Sequence, residues 1–183
     1  MERIFNPNNL VYEELERFVS RVQILITNDL NQLLLCKING TYYFVDGHVE
    51  ENETLVETIK REVLEETGID LDVDDSLEPF LVYRYYNKNH YGTGVKCLST
   101  INYCSVKSDK SFNLDKRQLD ANESKKDFTL EYINLDEVEE ILLSSVSTPE
   151  QESLTREMLD VITYFKNKKP KVLRKEFIGG CNE

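Results

Sequence analysis

Apolar Val22, Ile24 and Ile26, interleaved with Gln23, Leu25 and Thr27, form a mostly alternating pattern that predicts a strand. Asn28-Asp29 offers a turn, Leu33-Leu34-Leu35-Cys36 is a short apolar run, and Ile38-Asn39-Gly40-Thr41 leads into Tyr42-Tyr43-Phe44-Val45. Asn-Gly between two such runs signals a hairpin, because both residues tolerate positive φ. A helix follows, with Thr54 as its cap, Glu57 completing a capping box and Gly68 marking its end. Val56, Ile59 and Val63 fall on one side of it and are expected to pack on a sheet. Phe80 to Tyr86 and Val95 to Val106 read as a long hairpin, Thr129 to Asn134 as one more strand, and Leu135 to Ser144 as a short helix. Between them, Lys107 to Lys126 is polar and without periodicity. A C-terminal helix at about 149–169 opens on the cap Thr148-Pro149-Glu150-Gln151, carries Leu154, Met158, Val161, Ile162 and Phe165 at helical spacing, and is stopped by Pro170. This order predicts an α/β (mixed α+β) fold in which helices cover the faces of a mixed sheet.

Length and charge narrow the function. At 183 residues the chain is long enough for one buried core, and a single domain spanning 1–183 is expected. The formal charge of −12, from 22 Lys and Arg against 34 Asp and Glu, opposes nonspecific binding to duplex nucleic acid or to an anionic membrane surface. An anionic ligand would then need a bound cation. No signal-peptide pattern opens the chain and no long apolar stretch crosses a bilayer, so a soluble, cytoplasmic protein is expected. The cysteines Cys36, Cys97, Cys104 and Cys181 form no CxxC pair, and His48 and His90 are isolated, which argues against a zinc site or a disulfide framework.

The candidate chemistry sits on the first helix. Glu62, Glu65 and Glu66 stand at i, i+3 and i+4, so their carboxylates share one face and repel one another. A solvated charged face is one reading. A hard divalent cation is the other, because carboxylate oxygens are its preferred ligands and its charge makes neighbouring anions favourable.

The stretch from Gly47-His48-Val49-Glu50-Glu51-Asn52-Glu53 through Arg61-Glu62-Val63-Leu64-Glu65-Glu66-Thr67-Gly68-Ile69 decides between them. It resembles the Nudix box, G-xxxxx-E-xxxxxxx-R-E-U-x-E-E-x-G-U with U a bulky aliphatic. The fixed positions are met by Gly47, Glu53, Arg61, Glu62, Glu65, Glu66 and Gly68, with Val63 and Ile69 in the aliphatic slots. With each residue type at about one in ten or rarer, seven matches arise by chance at roughly 10⁻⁷ per window.

The resemblance implies a Nudix-like α/β/α sandwich with a loop-helix-loop catalytic motif. It also implies an Mg²⁺- or Mn²⁺-dependent pyrophosphohydrolase cleaving a diphosphate bond in a nucleoside diphosphate linked to another moiety, with a nucleotide sugar or a dinucleoside polyphosphate as candidates. By the same resemblance, Glu62, Glu65 and Glu66, with the carbonyl of Gly47, bind the metal, and Arg61 and Glu53 form a supporting pair. The base that takes the proton from water stays open among Glu65, Glu66 and a remote acid, Asp127 or Glu123. Many relatives carry Pro-Gly before the box glycine, where this chain has Val45-Asp46. For substrate contacts, Tyr83 and Tyr85 are candidates for stacking on a base, set against a core-packing role. His90 is a candidate for touching phosphate. The competing class is a Nudix-fold module that binds a nucleotide and regulates a partner without turnover; oligomeric state is left open, a homodimer included.

Overall fold

Strand β2 (Arg17–Thr27) is the axis of the sheet, because residues 24–26 are fully buried on both of its faces. The computed structural model describes residues 1–118 and 127–168. The expectations placed on Glu123, Pro170 and Cys181 lie outside the described residues.

Strand β1 is Glu2–Phe5, β3 Gln32–Ile38, β4 Thr41–Tyr43, β5 Val45–His48, β6 Leu81–Asn87, β7 Cys97–Lys107 and β8 Phe128–Asn134. The helices are α1 (Leu55–Thr67), α2 (Val138–Ser144) and α3 (Pro149–Lys168). The sheet runs β1-β6-β7-β2-β3-β4, with β5 also on β2 and β8 also on β3. The β2–β7 and β1–β6 pairs are parallel and the β6–β7 pair is the antiparallel hairpin expected. On its other edge β2 divides its partners. Arg21 to Ile24 pair with β5, while Ile26 and Thr27 pair with β3. That division opens a split in the sheet between β5 and β3.

Each face carries its own core. Val22, Ile24 and Ile26 of β2 pack with Leu34, Cys36 and Val45 against Ile59 and Val63 of α1. Leu25, Leu33, Leu35, Tyr83 and Tyr103 pack against Val138 and Leu142 of α2 and Met158, Val161, Ile162 and Phe165 of α3. The result is the α/β/α sandwich with a mixed sheet. Its three layers explain why Leu25, read from the sequence as one of the interleaved positions, is as buried as its neighbours.

Local signals act where they were expected. Thr54 Oγ1 accepts from the Glu57 N–H at 3.2 Å while the Glu57 carboxylate accepts from the Thr54 N–H at 2.7 Å, closing the capping box of α1. Gly68 ends the helix at φ 69°. It has a second reason to be glycine, since a Cβ there would overlap the carbonyl oxygen of Asn113. The hairpin turn between β3 and β4 is Asn39-Gly40, with φ of 48° and 84° as a two-residue primed turn demands. Thr148 and Gln151 bond reciprocally at 3.1 and 3.2 Å at the start of α3.

Two strands depart from the sequence expectation. β1 is four residues at a sheet edge with mostly exposed side chains, so no burial pattern marks it. β5 (VDGH) contains Asp46 and Gly47, both poor strand formers, and is held by its ladder to β2 and by the helix behind it. Among the described residues, no helix is long and apolar enough to cross a membrane.

Candidate active site

The carboxylates of α1 meet the sheet at β5. Gly47, paired with Val22, lies against the Glu62 side chain so closely that a methyl group in place of its hydrogen would overlap the Glu62 carboxylate. The glycine is therefore required by a close approach. Its φ is not positive.

Arg61 gathers the acids around it. Its Nε and Nη2 donate to Oε1 and Oε2 of Glu53 at 2.8 and 2.9 Å, a bidentate pair. Nη1 donates to Glu62 at 2.7 Å and to Glu65 at 3.3 Å, and Nη2 also reaches the carbonyl oxygen of His48 at 3.0 Å. The Glu53 carboxylate further accepts from Thr58 Oγ1 at 2.8 Å and from the Glu50 N–H at 3.2 Å. One guanidinium thus ties the loop before α1, the end of β5 and two turns of the helix. The Arg61 hydrogen bonds hold the Glu53 carboxyl down at about 2, against an ordinary 4.5.

Glu62 and Glu66 behave in the opposite way. Burial, only partly offset by Arg61, raises Glu62 to about 7. Glu66 is 7% exposed and is pushed well up, first by burial and then by the charge of Asp46. Cys36 on β3 donates its Sγ–H to Glu66 Oε2 at 3.1 Å. Asp46, the second residue of the Val45-Asp46 pair that the sequence reading set against Pro-Gly, is a regular strand residue paired with Gln23 and bridged to Arg21. It adds an anion beside the box glutamates.

Among the described residues, no group of three or more His, Cys, Asp or Glu side chains converges as a ready metal cage. Glu62 and Glu65 are held by Arg61 while Glu66 turns to Cys36. The donor chemistry nevertheless fits a hard cation: the acids are carboxylates, burial and then the neighbouring negative charges drive Glu62 and Glu66 towards the neutral form, and Gly47 leaves Glu62 room.

A cleft of about 390 Å³ opens beside Glu66 at the split between β5 and β3. Its walls include Arg21, Gln23, Asp46, Tyr43, Phe44 and Phe128. Sequence reading missed this cleft, because its lining comes from β2, β3, β4, β5, β8, α1 and α3 and no local pattern joins them.

The structure brings Gly47, Glu53, Arg61, Glu62 and Glu65 into one constellation, with Glu66 on the same helix turned to Cys36. It does not bring Tyr83, Tyr85 or His90 there. Tyr83 is 2% exposed in the α3-side core, with its hydroxyl on Asp160. Tyr85 donates to Glu157 at 2.5 Å and stacks on Phe5, so its ring and hydroxyl are both committed. Their positions are those of core tyrosines that seal β1 and α3 onto the sheet. His90 is buried at the tip of the β6–β7 hairpin, 4.2 Å from the Tyr91 ring. The β7 residue beside that tip, Cys97, pairs with Arg17, and Val22 pairs with Gly47, so about five strand residues, or roughly 16 Å, separate the two levels. Asp127 is exposed beside Phe128 at the cleft wall, with its backbone bonded to Asn39.

Fold and constellation together define an α/β/α sandwich whose first helix carries a carboxylate cluster gathered by one arginine, and comparison with known proteins gives the family. The NUDIX domain model matches residues 17–154, and the chain belongs to that family. Solved structures share the fold. A NUDIX hydrolase from Nitrosomonas europaea aligns with TM-score 0.52 at 20% identity, covering 88% of this chain and 99% of that one. The ORF135 protein of E. coli aligns with TM-score 0.54 at 16% identity over 85% of this chain and 95% of its own. A MutT protein from Bacillus halodurans aligns with TM-score 0.50 at 18% identity over 77% and 82%. Comparison with curated proteins found no match.

Proposed function

We propose that the chain hydrolyses a diphosphate bond in a nucleoside diphosphate joined to a second moiety, a nucleotide sugar or a dinucleoside polyphosphate, using Mg²⁺ or Mn²⁺ held by Glu62, Glu65, Glu66 and the Gly47 carbonyl. The observation that carries this reading is the Arg61 hub: a bidentate grip on Glu53 fixes the guanidinium that orients Glu62, which lies beside Gly47, and Glu65. Such an orienting partner matters almost as much as the ligands themselves. A bound divalent cation would neutralise phosphoryl charge and acidify the attacking water.

The residues of the chain divide the remaining work. Glu53 and Arg61 position; they touch no substrate. Glu65, at 33% side-chain exposure, is the most accessible of the three box glutamates and is held by Arg61 only at 3.3 Å, which suits a carboxylate that must accept a proton from water. Glu66 is the buried alternative and Asp127, at the cleft wall, the remote one. The cleft beside Glu66, with aromatic Tyr43, Phe44 and Phe128, is large enough for part of a nucleotide.

A hydrolysis screen against ADP-ribose, dinucleoside polyphosphates, nucleoside triphosphates, coenzyme A and capped RNA, with Mg²⁺ and with Mn²⁺, tests the reading. Cleavage into two phosphorylated products, abolished in a folded Glu66→Gln protein, is the expected result. Tight nucleotide binding with no turnover of any compound would instead make the chain a binding module.

A further inference from the structure

Glu66 is held differently from the other two box glutamates. Arg61 donates to Glu62 and Glu65, whereas the Glu66 carboxylate accepts from the Cys36 thiol at 3.1 Å and takes a backbone hydrogen bond from Asp46. Both of these donors are neutral. They stand on opposite sides of the split in the sheet, Cys36 on β3 and Asp46 on β5, and Glu66 reaches between them from α1.

The place of Cys36 is set by the fold. Ladders on both edges of β3 pair it with Leu130 of β8 and with Tyr43 of β4, so the backbone that carries the thiol is fixed. Strand alternation sends Leu34 and Cys36 to the α1 face, into the apolar core that contains Ile59 and Val63. An aliphatic side chain would suit that core. The thiol packs like one and adds a weak S–H donor. At 1% exposure it is shielded from water, and its hydrogen bond goes to Glu66.

We propose that Cys36 is a positioning residue for the metal site, its thiol fixing one oxygen of Glu66 so that the carboxylate is already oriented when a divalent cation binds. This deepens the reading of Glu66 as a metal ligand and rests on it. An ionised carboxylate offers about four acceptor positions, so one S–H and one N–H leave room for a cation. A neutral donor orients the group and leaves its negative charge for the metal, which a second arginine would cancel. Without the thiol, Glu66 would have to give up its rotamer freedom each time a cation bound.

Mn²⁺ titrated into chelator-treated protein without substrate, with the free ion followed by electron paramagnetic resonance, reads the effect apart from turnover. In Cys36→Val, which keeps the core filled and removes the donor, the dissociation constant for Mn²⁺ is expected to rise roughly 10- to 100-fold, the usual loss when a ligand's orienting partner is removed. Cys36→Ser, which restores a donor at the same position, is expected to stay close to wild type. A packing role predicts the opposite order, because a buried hydroxyl costs more stability than a valine there; melting temperatures of the metal-free proteins are recorded beside the affinities. Cys36→Ala replaces the Val variant if that one does not fold. Wild-type affinity in the folded variant without a donor overturns the proposal, as does an equal loss in Cys36→Ser and Cys36→Val. Glu66→Gln separates this from the underlying reading. A wild-type protein that binds no Mn²⁺, or a Glu66→Gln protein that binds it as wild type does, overturns that reading, whereas loss in Glu66→Gln with none in Cys36→Val overturns the positioning role alone.

Discussion

Replacing Glu53 by Gln removes one charge from the Arg61 hub and leaves its shape nearly unchanged. Glu53 is 14% exposed at its side chain and Arg61 26%, and the carboxylate receives two guanidinium bonds, one hydroxyl and one backbone N–H. Its carboxyl is lowered from 4.5 to about 2, which at about 1.4 kcal/mol per unit corresponds to about 3 kcal/mol. Partial exposure of Arg61 screens the pair, so about 2 kcal/mol is expected at neutral pH. Because the folded-state value is depressed, that stability is fully present above about 4.5 and is lost as pH falls through about 2. Urea unfolding of the two proteins, repeated from pH 7 down to pH 2.5, measures the difference directly. Glu53→Gln should be less stable by about 2 kcal/mol at pH 7, with a melting temperature lower by about 4–8 °C. The gap should narrow steadily below about pH 4.5. A gap that is constant with pH, or that widens in acid, would refute the assignment of Glu53 as the ionised partner of Arg61.

Other outcomes follow from the same geometry. Gly47→Ala must displace the Glu62 carboxylate from Arg61, so kcat/KM should fall at least tenfold while circular dichroism stays native; full activity would show that Glu62 does not need its present place. Tyr85→Leu should cost about 1–3 kcal/mol through lost packing and the lost bond to Glu157, with KM unchanged; a raised KM at unchanged stability would return Tyr85 to the substrate. Asp127→Asn, with Glu65→Gln beside it, locates the base: loss of the pH dependence of kcat in Glu65→Gln and its retention in Asp127→Asn are expected, and the reverse pattern would assign the remote acid. Thr148→Ala should lower stability by about 1 kcal/mol by opening the cap of α3 and leave turnover alone.

What could be read in advance was what lies close together along the chain. The box spans 23 residues, Gly47 to Ile69, and its spacing encodes both the helix face of Glu62, Glu65 and Glu66 and the caps at Thr54 and Gly68. The Asn39-Gly40 hairpin and the β6–β7 hairpin are equally local. Distant pairings carried no such mark. β1 finds β6 some eighty residues away through four mostly exposed residues, and β5 is a strand only because β2 and Glu62 receive it. The tyrosines of β6 alternated as either a core or a binding face would, and only the arrival of α3, with Glu157 and Asp160, shows which. Arg117 lay in a stretch without periodicity, and its place against Phe128 depends on two backbone bonds of its segment to α1 that no spacing rule describes.

The most direct test is product formation from a hydrolysable diphosphate by chelator-treated protein before and after Mg²⁺ is restored, run in parallel on wild type and Glu66→Gln. The account expects no turnover without metal, recovery on adding Mg²⁺ to wild type, and no recovery in a Glu66→Gln protein that is natively folded. Turnover that ignores the chelator, or recovery to wild-type rate in Glu66→Gln, would contradict it.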